Sequence, residues 1–139
     1  MTRAADVPTT PRADDAANGA SAIDLTVLAT LLDFDAVKVR RLALAFLHST
    51  RAGLDKMTQA LAAGRTARVR ELGHRIKSAA RTVGAFGMGT LCEQIEELPP
   101  AAPEVEQAAA QALLARLWPL FEQIAVQILQ HTGAPADTP

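Results

Sequence analysis

The chain has a single cysteine, Cys92, no tyrosine, and aromatic residues at only 4% of its length. One thiol cannot close an internal disulfide, so the fold must hold by packing alone, and a reducing compartment is compatible with it. So few aromatics, and so few runs of β-branched residues, argue against a sheet. Net charge is also missing. A formal charge of −1 gives no global attraction to nucleic acid or to a membrane surface. The amino-terminal stretch carries Asp6, Asp14 and Asp15 and no apolar segment of the kind a secretion signal needs. No uninterrupted apolar run approaches the ~18–20 residues that span a bilayer. A soluble, cytoplasmic protein with no membrane partner is the expectation.

What the chain does have is alanine and leucine. Hydrophobic residues make up 49% of its 139 residues, enough for one helical domain with a core. Residues 1–20 carry Pro8, Pro11 and Gly19 and almost nothing large to bury, so a disordered tail is expected there, with a second, flexible tail over 133–139. Between them lies one domain, 21–132.

Helical periodicity divides that domain into five elements. A short first helix starts near Ser21, where Ser21-Ala-Ile-Asp24 has capping-box spacing, and continues through Leu25, Leu28, Leu31 and Leu32. A second runs from about 36 to 63, with Val39, Leu42, Phe46, Leu54, Met57 and Leu61 on one face and Gly64 as its stop. A third covers about 66–83, with Val69, Leu72, Ile76, Ala79 and Val83 as its stripe. Gly84, Gly87 and Gly89 then interrupt the pattern, and a short fourth helix is expected over about 90–98. Pro99, Pro100 and Pro103 separate it from a long last helix reaching His131, with Val105, Leu113, Leu117, Leu120, Phe121, Ile124 and Ile128 as its stripe. Pro119 lies inside that helix and should kink it. Single-sided stripes and short connections describe an all-α protein, an antiparallel four-helix bundle with an additional short N-terminal helix. One stripe per helix can be buried within one bundle, so a monomer is expected.

Three histidines offer chemistry. His131 lies at a helix C-terminus, where a cationic ring complements the helix dipole. His48 faces away from its stripe and reads as an ordinary surface residue. His74 lies opposite the stripe of the third helix, with Arg70, Glu71, Lys77, Ser78 and Arg81 on its own face and Gly73 beside it. Glycine in a helix interior costs about 0.8–1 kcal/mol relative to alanine, so Gly73 either gives a partner access to the ring or lets two helices approach. The spacing Glu71-x-x-His74 occurs in di-iron bundles. Those sites need a second such pair, which the other histidines do not supply, and Arg70, Lys77 and Arg81 would repel a divalent cation. No metal site is expected. Cys92 lies near the apolar stripe of its helix and reads as a small core residue.

The segment His74-Arg-Ile-Lys77-Ser78-Ala-Ala-Arg-Thr-Val-Gly84 resembles the signature of histidine-containing phosphotransfer (HPt) domains, the carrier modules of two-component phosphorelays: a His, a Lys three residues on, a small residue, and a Gly ten after the His. Leu91-Cys-Glu-Gln-Ile95-Glu96 looks like the family's next helix, and the likeness extends in helix order over most of residues 22–131. The resemblance implies that His74 is the phosphoacceptor and that Lys77 meets the phosphoryl oxygens. It implies docking of the partner through Arg70, Glu71, Gly73, Arg75, Ser78 and Arg81. Ser78 stands where the family usually has Gly. Glu96 stands where some members have Gln, and its carboxylate could orient the ring through Nδ1. The implied partners are a response-regulator receiver domain and an upstream sensor or hybrid histidine kinase. The implied protein is a carrier rather than an enzyme and needs no cofactor of its own, the Mg²⁺ belonging to the receiver. Two other readings stand beside this one. A non-catalytic adaptor would dock a signalling partner through the basic face, with His74 incidental. A nucleic-acid binder would use the cations between Arg65 and Arg81, against which the neutral net charge argues.

Overall fold

The computed structural model describes residues 21–133. Five helices occupy this span: α1 (Leu25–Leu31), α2 (Ala36–Ala62), α3 (Thr66–Val83), α4 (Phe86–Glu96) and α5 (Pro103–Thr132). No strand occurs among the described residues. Helices α2 to α5 form the bundle, each packed on its neighbours in a closed ring, and α1 caps one end against α2 and α3. Short links join α2 to α3 and α3 to α4, so successive helices run antiparallel. The core is aliphatic: Leu54, Met57, Leu61, Val69, Met88, Ile95, Leu117, Ile124 and Ile128, with Phe121 its largest side chain.

Both ends of α1 are fastened by polar contacts. Its N-cap is Asp24, whose carboxylate accepts from the Thr26 N–H at 3.1 Å. The expected Ser21–Asp24 box is therefore replaced by a single cap three residues later. The reason is burial: Ala22 and Ile23 are packed into the core ahead of the helix, and Gln127 Oε1 of α5 accepts from the Ala22 N–H at 2.8 Å. At the other end, Asp33 and Phe34 both take positive φ, 54° and 59°, and turn the chain into α2. Asp35 then caps α2, accepting from the Val37 and Lys38 N–H groups at 3.1 Å each. The residue Gly64 leaves α2 in the left-handed region at φ 72°, as its position as a stop signal predicts.

The sequence stripes hold with four corrections. Leu31, Leu42 and Val105 are exposed; at Leu42 the helix itself is covered, since Val39 and Ala43 are buried, so the side chain lies at the edge of the packed face. In α3 it is Ala80, and not Ala79, that is buried. The fourth helix begins at Phe86 rather than near residue 90, so Gly87 and Gly89 are helical. Packing explains this better than propensity: a Cβ on Gly89 would lie 3.1 Å from Arg81 Cγ, so the missing side chain leaves room for the arginine stem. The last helix is continuous through Pro119, which lies on its exposed side. By length and hydropathy α5 could cross a membrane. Its Leu114, Leu117, Phe121, Ile124 and Ile128 are instead buried against the other helices, as in a core helix.

Cys92 is fully buried, and burial pushes its thiol up to about 12, against the pull of Lys77 and Arg81. Thiolate is the reactive form. A thiol reagent at mildly alkaline pH should therefore modify the native protein at least about a hundredfold more slowly than the urea-unfolded chain. Similar rates in the two states would show that the α4 core opens readily.

Candidate functional site

His74 sits in the middle of α3, on the side turned from the core, with its side chain 59% exposed. The i, i+3 spacing puts Lys77 one turn on along the same face. Helix α4 runs beside α3, and Glu96, the last residue of α4, reaches both. Glu96 Oε2 lies 2.7 Å from His74 Nδ1, and Glu96 Oε1 accepts from the Lys77 ammonium at 2.6 Å. A carboxylate can only accept, so Nδ1 carries a hydrogen, and in the neutral ring the lone pair is then on Nε2. Among the described residues the site therefore presents an oriented imidazole on an exposed helix face.

Gly73 makes this approach possible. It is buried, and a Cβ there would lie 3.3 Å from the Cys92 carbonyl oxygen and 3.4 Å from Ile95 Cγ2. Of the two roles open to it in the sequence, the structure selects helix contact. Gly73 does not belong to the exposed docking set, because α4 covers it.

The cations around His74 are mostly engaged. Arg68 pairs with Glu71 at 2.6 Å. Arg70 reaches Glu106 of α5 at 3.4 Å and the Leu98 carbonyl at 3.3 Å. Arg81 pairs with Glu93 of α4. The Ser78 hydroxyl turns back to the His74 carbonyl at 3.4 Å. Arg75 is exposed and has no carboxylate partner among the described residues. It borders a shallow groove between α2 and α3 that is lined also by Ser49, Gly53, Lys56 and Ala79. His48 is exposed on α2 and His131 lies in the last turn of α5, where its helix ends at Gly133. No group of three or more His, Cys, Asp or Glu side chains among the described residues could hold a metal ion.

A family model for the Hpt domain matches residues 41–128, from α2 through most of α5 and including the whole His74 site. The chain belongs to the Hpt family. Among solved structures, the histidine-containing phosphotransfer protein B (HptB) of Pseudomonas aeruginosa PAO1 is similar, with a TM-score of 0.71 and 22% sequence identity, covering 84% of this chain and 99% of that one. At that identity the likeness concerns the fold, and the fold is the Hpt helical bundle. No curated protein matches.

In this Hpt domain the ion pairs between helices are what sequence spacing alone could not supply. Glu96 could be singled out as a ring-orienting candidate, but its second bond, to Lys77, depends on the register of α4 against α3. Glu93 and Glu106 carried no signal beyond being acids near the ends of helices. Four of the paired glutamates have carboxyls held below the ordinary range: Glu71 by Arg68, Glu93 by Arg81, Glu96 chiefly by Lys77 and then His74, and Glu106 chiefly by the Ala101 N–H and then Arg70. A lowered carboxyl contributes stability that is present above the unfolded value of 4.5 and is lost as pH falls through the folded value. The melting temperature should therefore be level near neutrality and fall once the solution is taken below about pH 4.5. A melting temperature unchanged between pH 6 and about pH 3 would mean that these pairs do not persist in solution.

Proposed function

We propose that this protein carries a phosphoryl group on His74 Nε2, taking it from the aspartate of one response-regulator receiver domain and giving it to another. A sensor or hybrid histidine kinase stands upstream. The observation that carries this reading is the 2.7 Å hydrogen bond between His74 Nδ1 and Glu96, made by a ring that is otherwise open to a visitor.

The chemistry follows from that bond. The Nε2 lone pair attacks the phosphorus of the partner's aspartyl phosphate, an N–P bond forms, and the P–O bond to the aspartate breaks with its electron pair returning to the carboxylate. The hydrogen stays on Nδ1, so positive charge develops on the ring, and the Glu96 carboxylate offsets it. Transfer onward is the same step reversed. Phosphoryl transfer of this kind depends on alignment and charge compensation more than on covalent assistance. This chain supplies the nucleophile and its orientation. Mg²⁺ is expected on the receiver, with no cofactor here, so the protein acts as a carrier and not as a kinase.

Docking uses the surface around the ring. Arg75 and Ser78 on α3 are near His74 along the helix, Arg81 lies two turns on, Glu71 and Arg70 lie one turn earlier, and the α2–α3 groove adds Lys56. A receiver's acidic active site complements Arg75 and Lys56, which no glutamate pairs with among the described residues, and rim charges of this type chiefly speed association and weaken with salt. The carrier is read as a cytoplasmic monomer that binds neither nucleic acid nor membrane. Pairing of Arg68, Arg70, Lys77 and Arg81 with glutamates supports the last of these points alone, since it leaves little uncompensated positive charge for a polyanion. The test is transfer from a receiver labelled on its aspartate. The protein should acquire label that is labile in acid and stable in base, as phosphohistidine is. Failure to acquire it from any active receiver would remove the reading.

A further inference from the structure

Helix α4 ends at Glu96, and the chain then runs through Leu98, Pro99 and Pro100 toward α5. The two prolines carry no N–H, so the backbone there offers no donors to the last carbonyls of the helix. A side chain of α3 offers one instead. Arg70 Nη2 donates to the Leu98 carbonyl at 3.3 Å and reaches Glu106 Oε1 at 3.4 Å. Glu106, in the first turn of α5, also accepts from the Thr66 hydroxyl at 3.3 Å and, through its other oxygen, from the Ala101 N–H at 2.8 Å. One carboxylate thus gathers the start of α3, the Arg70 guanidinium and the first N–H beyond the prolines. The next residue, Gln107, donates to the Leu61 carbonyl at 2.7 Å and fixes the same turn of α5 to the last turn of α2.

The geometry points to Arg70 as a positioning residue for transfer, a clamp that ties α3, one turn before His74, to the exit of α4 and the start of α5 through Leu98 and Glu106. This rests on the phosphocarrier reading and goes further by moving one cation of the expected docking surface into the frame beneath the site. Burial separates the two roles. The Arg70 side chain is 27% exposed and that of Glu106 is 14% exposed, so their contact lies mostly inside the protein. Charge separates them too. Glu106 compensates the guanidinium, so an approaching acidic surface meets no free cation at this position, whereas Arg75 is exposed and has no carboxylate partner among the described residues. The acceptors are a third distinction. Nη2 serves a carbonyl on one segment and a carboxylate on another, a task suited to a guanidinium at the end of a long stem. A lysine ammonium on a shorter stem should lose at least one of the two.

The two roles predict opposite signs at Glu106. Were Arg70 a rim cation, Glu106→Gln would free its charge and speed association with an acidic receiver. With Arg70 as a clamp, the same substitution removes its anchor and slows transfer. Transfer from a phosphorylated receiver is to be followed over a range of receiver concentrations for wild type, Arg70→Met, Arg70→Lys, Glu106→Gln and the Arg70→Met, Glu106→Gln double variant. The rate at saturating receiver should fall about 10-fold in each single variant, with the half-saturating concentration and its salt dependence within about 2-fold of wild type. The double variant should stay within about 3-fold of the slower single one, because both break the same link. Backbone amide exchange gives a reading that needs no phosphate donor. The Glu97, Leu98 and Ala101 amides should exchange about 10-fold faster in Arg70→Met, with the amides around Leu54 in α2 unchanged. Circular dichroism melts confirm folding, and Glu106→Gln and Arg70→Lys carry the comparison if Arg70→Met does not fold. A Glu106→Gln variant that binds the receiver more tightly and transfers as fast as wild type would overturn the inference. So would Arg70→Lys at the wild-type rate, an Arg70→Met defect confined to the half-saturating concentration, or unchanged exchange at the exit of α4. Label that fails to follow His74 would instead defeat the phosphocarrier reading, and the exchange comparison would still decide whether Arg70 holds that exit.

Discussion

Replacing His74 with Gln should lower phosphotransfer by at least about a thousandfold while leaving the fold intact. No second histidine or thiol among the described residues is placed to substitute. His48 is on α2, His131 is in the last turn of α5, and the Cys92 thiol is buried. The substitution is mild for stability because the ring is 59% exposed and a glutamine at this position can still donate to Glu96. Changes at such surface positions usually stay within about 0.5 kcal/mol. The decisive comparison is acid-labile label on wild type and variant after incubation with the same phosphorylated receiver, with melting curves run in parallel. Label persisting on the variant would mean that another residue accepts the phosphoryl group. Receiver-dependent signalling that survives the substitution would favour a docking adaptor instead.

The largest effect on stability should come from Gly84. It ends α3 at φ 92°, a conformation that L side chains rarely adopt, and its carbonyl accepts from the Asp24 N–H at 2.9 Å. A Cβ there would overlap the Asp24 carbonyl oxygen and lie 2.9 Å from the carbonyl carbon, and backbone atoms cannot rotate aside. Gly84→Val should therefore cost about 3 kcal/mol or more, seen as a fall of roughly 12–20 °C in Tm. Gly64→Val is the matched control. Its φ is 72°, yet nothing lies within 4 Å of the added carbon, so only the backbone strain of about 1–2 kcal/mol applies. Equal losses at the two positions would show that α1 contributes nothing through its seat on the end of α3.

Several of these features were legible in the sequence for identifiable reasons. Helices α2 and α3 match their expected spans to within a residue, because long amphipathic stripes ending in Gly64 and Gly84 give the register twice over. His74 could be placed on the exposed face from angular spacing alone. The start of α4 could not, because glycine propensity argues against a helix at Gly87 and Gly89, and only the arginine stem packed over Gly89 explains the outcome. The α1 cap was misplaced for a related reason: Ser21 has the right chemistry, but Ile23 needs the core more. The pairing of Arg70 with Glu106 and of Arg81 with Glu93 joins different helices and depends on how they are rotated against one another. Periodicity along a single helix carries no such information, so a face that reads as a cluster of free cations in the sequence is largely balanced in the folded protein.

Gly73 never meets a visitor, yet it governs what a visitor finds. Its missing side chain sets the interaxial gap at the level of Cys92 and Ile95, and Glu96 is the very next residue along that backbone. Widening the gap by even a methyl group's thickness would retract the acceptor from the imidazole and leave the ring free to spin. The aim of the reactive nitrogen is thus inherited from main-chain proximity one layer below it, and a lesion in that hidden layer would surface as impaired chemistry rather than as an obviously misfolded protein.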